Sequence, residues 1–93
     1  MSSRESFSRT FLVPVVRSEH DGMLWGHLME CNCTSWGVDI PQLKERLTEL
    51  VLDAHQTYVQ HGCSFEATPT EEELLDGWEE IVCIEPLTVT FDG

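Results

Sequence analysis

Asp39-Ile-Pro-Gln-Leu-Lys-Glu-Arg-Leu-Thr-Glu-Leu-Val-Leu-Asp-Ala-His-Gln-Thr-Tyr58 decides the architecture. Asp39 is a capping residue, Pro41 falls in the first turn where its missing N–H is harmless, and Gln42 stands where a capping-box partner belongs. Leu43, Leu47, Leu50, Val51, Ala54 and Tyr58 then recur at spacings of three and four. This is one apolar stripe along about six turns of helix, ending at Gly62. Such a helix must lay its stripe on a second layer, and the only sheet available before it lies in the first 37 residues.

Those residues read as strands. Thr10-Phe-Leu-Val-Pro-Val-Val-Arg17 is β-branched and apolar, with Pro14 placing it at an edge or a bulge because proline cannot donate to a ladder. Ser18-Glu-His-Asp-Gly22 has hairpin chemistry, its Asp-Gly tolerating positive φ. In Met23–Met29 the alternation puts Leu24, Gly26 and Leu28 on one side and Trp25, His27 and Met29 on the other. Cys31 to Trp36, closed by Gly37, completes a three-stranded antiparallel meander. The polar, Ser-rich residues 1–9 are expected to be a flexible N-terminal segment ahead of a single α+β domain over 10–93.

After the long helix, Thr68-Pro-Thr-Glu71 repeats a capping signature, with Thr68 as cap and Pro69 at the first helical position. A short helix through Trp78 follows, its Glu71, Glu72 and Glu73 suited to the positive end of the helix dipole. Glu80–Ile84 and Leu87–Phe91, separated by Glu85-Pro86, predict one or two C-terminal strands.

Charge narrows the function. The 93 residues hold 17 Asp plus Glu against 5 Lys plus Arg, a net charge of -12 and a pI near 4.4. All five basic residues (Arg4, Arg9, Arg17, Lys44, Arg46) fall in residues 1–46 with six acids, net -1; residues 47–93 carry eleven acids and no base, net -11. Direct nucleic-acid or anionic-membrane binding is disfavoured, because both rely on Lys and Arg, and a basic protein partner is expected. The candidate contacts are Glu71, Glu72, Glu73, Asp76, Trp78, Glu79 and Glu80. No apolar run reaches a membrane span and the N-terminus lacks a signal peptide's apolar stretch, so a cytoplasmic protein is expected. A sheet with one long helix leaves a face or edge open, which predicts a homodimer.

Catalytic signatures are missing: no P-loop, no G-x-G-x-x-G, no G-x-S-x-G and no H-E-x-x-H. His20, His27, His55 and His61 lack a nucleophile or orienting acid at a telling spacing, with His55 and His61 on the long helix's polar flank. The reading is therefore a non-enzyme without a cofactor. Cys31, Cys33, Cys63 and Cys83 read as free thiols. An alternative pools Cys31, Cys33, Cys63 and His61 into a zinc or thiol-binding site. Trp25, Trp36 and Trp78 suit either the core or an interface, with at least one expected in the core.

The order of these features resembles the HicB antitoxin domain over about residues 10–62. A strand like Phe11–Val16, the turn Glu19-His-Asp-Gly22, a strand like Met23–Met29, a Cys-bearing segment closed by Gly37, and Gln42-Leu43 opening a helix follow that family's order. Glu30 and Cys33 stand near its acidic and Cys positions, although Cys31-Asn32 occupies the place of its Leu-Pro-Gly. The resemblance implies a degenerate RNase H-like unit, a meander with a packed helix and a following strand, without nuclease carboxylates. It also implies a small basic mRNA-cleaving toxin as partner, whose active site the antitoxin covers. Residues 63–93, net -9 without Lys or Arg, do not supply the C-terminal DNA-binding module of many family members. The rival reading of the same acidity is a nucleic-acid mimic that inhibits a nuclease or host-defence protein.

Overall fold

The computed structural model describes residues 6–77 and 80–92. The chain runs β1 (Ser6–Arg17), β2 (Leu24–Leu28), β3 (Cys33–Gly37), α1 (Ile40–Gln60), α2 (Glu71–Gly77) and β4 (Ile81–Asp92). The strands form one antiparallel sheet in the order β3-β2-β1-β4, giving an α+β fold. The β1–β2 turn is closed by Gly22 N–H donating to Ser18 O at 2.9 Å and by the Asp21 carboxylate accepting from Met23 N at 3.0 Å, with Gly22 at φ +70°.

Strand alternation sorts the sheet into two faces. Phe11, Val13 and Val15 of β1, Leu24 and Leu28 of β2, Cys33 of β3 and Leu87, Val89 and Phe91 of β4 are buried on one face, where α1 adds Leu43, Leu47 and Val51. Each of those three helix side chains contributes roughly 2 kcal/mol by leaving water. Leu50, expected in the stripe, is 39% exposed; Ala54 and Tyr58 are half-buried. His55 takes the next place at fourfold spacing after Val51, packing its ring 4.5 Å from that of Phe91. It is therefore an inward-facing residue and not the polar-flank histidine the pattern suggests.

Helix α1 is capped as its sequence dictates. The Asp39 carboxylate accepts from Gln42 N at 2.9 Å, and the Gln42 side chain accepts from Val38 N at 2.9 Å. At the other end His61 N–H reaches the carbonyls of the last turn and Gly62 adopts φ +70°, the left-handed conformation that stops a helix. Helix α2 begins in a different register from the one expected. Thr68-x-x-Glu71 and Thr70-x-x-Glu73 both satisfy the capping pattern, but Arg9 donates to the Thr68 hydroxyl at 3.1 Å. Thr70 is the cap, its hydroxyl accepting from Glu73 N at 3.2 Å.

The C-terminal half of the sheet is longer than its sequence suggests. Glu85-Pro86 does not divide the chain: β4 is one 12-residue strand, paired with β1 from Ser6↔Asp92 to Val16↔Ile81. Residues 6–9 of the segment expected to be flexible are thus ladder residues. Ser8 and Thr10 hydroxyls bond those of Thr90 and Thr88 at 2.9 Å, and Phe7 stacks on Phe91 at 5.1 Å between centroids. Pro14 does not put β1 at the edge, because β2 and β4 flank it. Yet β2 pairs β1 only over Val15–Arg17, so Pro14 has β4 alone as its partner strand, and a register shift follows between Val15 and Val16. Pro86 sits on β4, an outer strand where a missing donor is tolerated.

Two glycines set the helix-to-sheet distance. A β-carbon at Gly37 would lie 2.7 Å from the Leu43 backbone nitrogen; one at Gly26 would lie 2.7 Å from Val13 Cγ1 and 3.2 Å from Leu47 Cδ1. The first obstacle is backbone, the second is side chain that can turn. Gly37→Ala should therefore cost about 3 kcal/mol and Gly26→Ala about 1–2 kcal/mol in guanidinium unfolding. Equal stability of Gly37→Ala and the parent would contradict the close seating of α1 on β3.

Candidate partner-binding face

The sheet face opposite α1 carries the side chains that alternate outward. On β2 and β3 these are Trp25, His27, Thr34 and Trp36, with Trp25↔Trp36 and His27↔Thr34 directly paired across strands. Val16 of β1 pairs with Trp25 and lies on the same face. The indoles are 38% and 41% exposed, with ring centroids 6.4 Å apart. Neither belongs to the core cluster, so the expectation of at least one core tryptophan rests on the third. Trp78 lies outside the described residues.

Trp36 is held from behind. Arg46 of α1 places its guanidinium 4.1 Å from the Trp36 ring centroid and donates to the Trp36 carbonyl at 3.1 Å, clamping the edge strand to the helix. His27 Nδ1 is 2.6 Å from the Thr34 hydroxyl, which fixes the imidazole flat along the hairpin. The pair of indoles thus stands on a hairpin whose side-chain conformations are already set, which lowers the ordering cost of any contact made there.

Helix α2 shares this face. A cavity of about 310 Å³ has His27 and Met29 on one wall and Pro69, Glu73 and Gly77 on the other. Leu74 is 2% exposed and stands apart from the core cluster beneath α1, so it anchors the short helix on the opposite side of the sheet. With Leu74 inward, Glu71, Glu72, Glu73 and Asp76 are exposed. Four of the seven expected contact residues therefore sit together on α2. Glu80 is also exposed, at φ +62°, just before β4; Trp78 and Glu79 lie outside the described residues.

The described arginines do not neutralise this cluster through their own hydrogen bonds: Arg9, Arg17 and Arg46 each donate to a backbone carbonyl, of Glu66, Gly22 and Trp36 respectively. The sequence leaves Trp25 and Trp36 open between core and interface, because strand alternation says which side chains share a face but not which face a later helix covers.

The remaining sequence candidates are dispersed. His20 is exposed in the β1–β2 turn, and His61 caps α1. Among the described residues no group of three or more His, Cys, Asp or Glu side chains is placed to hold a metal ion, so Cys31, Cys33, Cys63 and His61 do not form the zinc set. All four cysteines are free thiols. Cys63 instead lines a second, aromatic-walled pocket of about 270 Å³ with Phe7, Arg9, His55, Tyr58 and Phe65. Among the described residues no helix is long and apolar enough to cross a membrane. No family model matches the chain, and no curated protein or solved structure matches it either.

Burial pushes the Cys31 thiol up to about 12, helped by its hydrogen bond to Cys33 and the nearby Glu30. The folded state therefore holds this proton where the unfolded chain, at the ordinary 9.0, releases it. Its stabilising effect is complete below about pH 9 and is lost as pH rises towards 12, at most about 1.4 kcal/mol per pH unit. Cys31→Ala should flatten the alkaline limb of stability measured by guanidinium unfolding. An unchanged limb would contradict this assignment.

Proposed function

We propose that this chain is an acidic protein-binding domain that presents the sheet face opposite α1 to a basic protein partner. The observation that carries the reading is the placement of exposed Glu71, Glu72, Glu73 and Asp76 on the same face as the half-exposed Trp25–Trp36 pair. The two components have different tasks. Carboxylates on a charged helix steer a cationic surface into encounter, and indoles, rigid and amphipathic, fill pockets in the partner and slow departure.

In its finer form the proposal is a HicB-like antitoxin that neutralises a small basic mRNA-cleaving toxin. A meander with a packed helix and a following strand is the arrangement that resemblance implies, and the order β3-β2-β1-β4 with α1 on one face agrees with it. The nucleic-acid mimic is less well supported. From Glu71 to Asp76 the helix rises only about 8 Å, too short for more than about two or three phosphate positions along one strand. The domain is read as a non-enzyme in the cytoplasm.

The homodimer, expected from an open sheet face or edge, is proposed at the outer edge of β4, because α2 covers part of the face opposite α1. Light scattering at a mass near the 10.6 kDa monomer would remove it.

Affinity capture at low salt followed by mass spectrometry identifies the partner, and kinetics on the captured protein test the face. Changing Glu71, Glu72 and Glu73 together to Gln should slow association about tenfold and flatten its salt dependence, with Thr70 still capping α2. Trp25→Ala should raise the dissociation rate by about 30-fold while leaving association nearly unchanged. Parent-like kinetics in both variants, with folding confirmed by circular dichroism, would place the partner elsewhere. A captured protein that cleaves mRNA until the domain is added supports the antitoxin form; one without that activity removes it.

A further inference from the structure

The turn between β2 and β3 holds the densest unassigned chemistry in the protein. Cys31 and Cys33 flank Asn32, whose φ of +53° folds the backbone back on itself. That turn brings the two sulfurs to 3.2 Å, with Cys31 Sγ–H directed at Cys33 Sγ. Both residues are nearly enclosed, at 5% and 8% exposure. Beside them Glu30 is 2% exposed, and its Oε2 is buried without a hydrogen-bond partner. A buried carboxylate oxygen left unpaired next to two thiols is not explained by packing, since such groups are normally satisfied.

We propose that Cys31 and Cys33 form a reversible intrachain disulfide, making the β2–β3 turn a peroxide-oxidisable site. A disulfide needs its sulfurs at about 2.05 Å, roughly one ångström closer than they already stand. Cys33 is the slightly more exposed residue of the two, its sulfur accepting the Cys31 S–H while its own thiol points at the Cys31 carbonyl at 3.6 Å; it is the attacking group. Its thiolate attacks one oxygen of hydrogen peroxide: the S–O bond forms, the O–O bond breaks, and hydroxide leaves to become water. Cys31 then attacks the sulfenic sulfur: the S–S bond forms, the S–O bond breaks, and the Cys31 proton departs with hydroxide as a second water. Two thiols have lost two electrons to one peroxide, and the atoms balance. Glu30 helps to hold Cys31 as the neutral thiol, which suits it to the second, resolving step and not to the first attack.

The test treats the full chain with hydrogen peroxide, unfolds it in N-ethylmaleimide, and maps the peptides by mass spectrometry. The peptide containing Cys31 and Cys33 should lose two hydrogens, lose alkylation at both sulfurs, and regain both on treatment with dithiothreitol. Exposed Cys63 serves as the internal sign that oxidant was present. Cys31→Ser should leave Cys33 as a sulfenic acid that dimedone traps. If that variant does not fold, the doubly substituted Cys63→Ser, Cys83→Ser protein keeps the pair isolated and should show the same loss of two hydrogens. Full alkylation of Cys31 and Cys33 in protein whose Cys63 is oxidised would overturn the proposal. So would irreversible oxidation of Cys33 to sulfinic acid, or pairing of either residue with Cys63 or Cys83.

Discussion

The seating of α1 on the meander is the constraint on which the rest of the structure depends. Gly37 lets the helix backbone come down onto β3, and Gly26 leaves room for Val13, Leu43 and Leu47 to meet over β2. Because the helix lies so close, Leu43, Leu47 and Val51 are fully enclosed, and one face of the sheet is saturated by a single helix. Everything else must then be arranged at the edges or on the other face. Arg46 can reach around β3 to Trp36 only from a helix at that height.

The second consequence concerns β1. Its first half extends beyond β2, with β4 as its partner from Ser6 to Pro14 and, among the described residues, no strand pairing it on the other side. The connection after α1 passes this open stretch: Arg9 holds Glu66 O and Thr68, while Glu66 N–H donates to Glu30 O beyond the end of β2. Phe65 packs against Phe11 and Tyr58 on the α1 side before the chain reaches α2 on the opposite face. Arg9 therefore fixes the crossing segment just ahead of α2, whose cap is Thr70.

Much of this was legible in the sequence, for identifiable reasons. The meander, the cap at Asp39, the stop at Gly62 and the core role of Leu43, Leu47 and Val51 are local or periodic signals, and each is realised. What the sequence concealed is tertiary choice. Two capping registers precede α2, Thr68-x-x-Glu71 and Thr70-x-x-Glu73, and the local pattern alone does not choose between them. Pro86 reads as a break unless one knows that β4 is an outer strand. His55 reads as polar until Phe7, Phe65 and Phe91 surround it. The acidic residues of the candidate face could be named from charge, whereas Trp25 and Trp36 stayed open between core and interface, because their placement depends on which sheet face α1 covers.

Recognition on the sheet face opposite α1 must leave a mark on the backbone there. Hydrogen–deuterium exchange of the domain, free and saturated with its captured partner, tests it most directly, because backbone amides report burial without altering any contact residue. Slowed exchange is expected in β2, β3 and α2, over residues 24–28, 33–37 and 71–77, with α1 unchanged. Protection confined to α1 or to the β4 edge, with α2 exchanging as in the free domain, would contradict it.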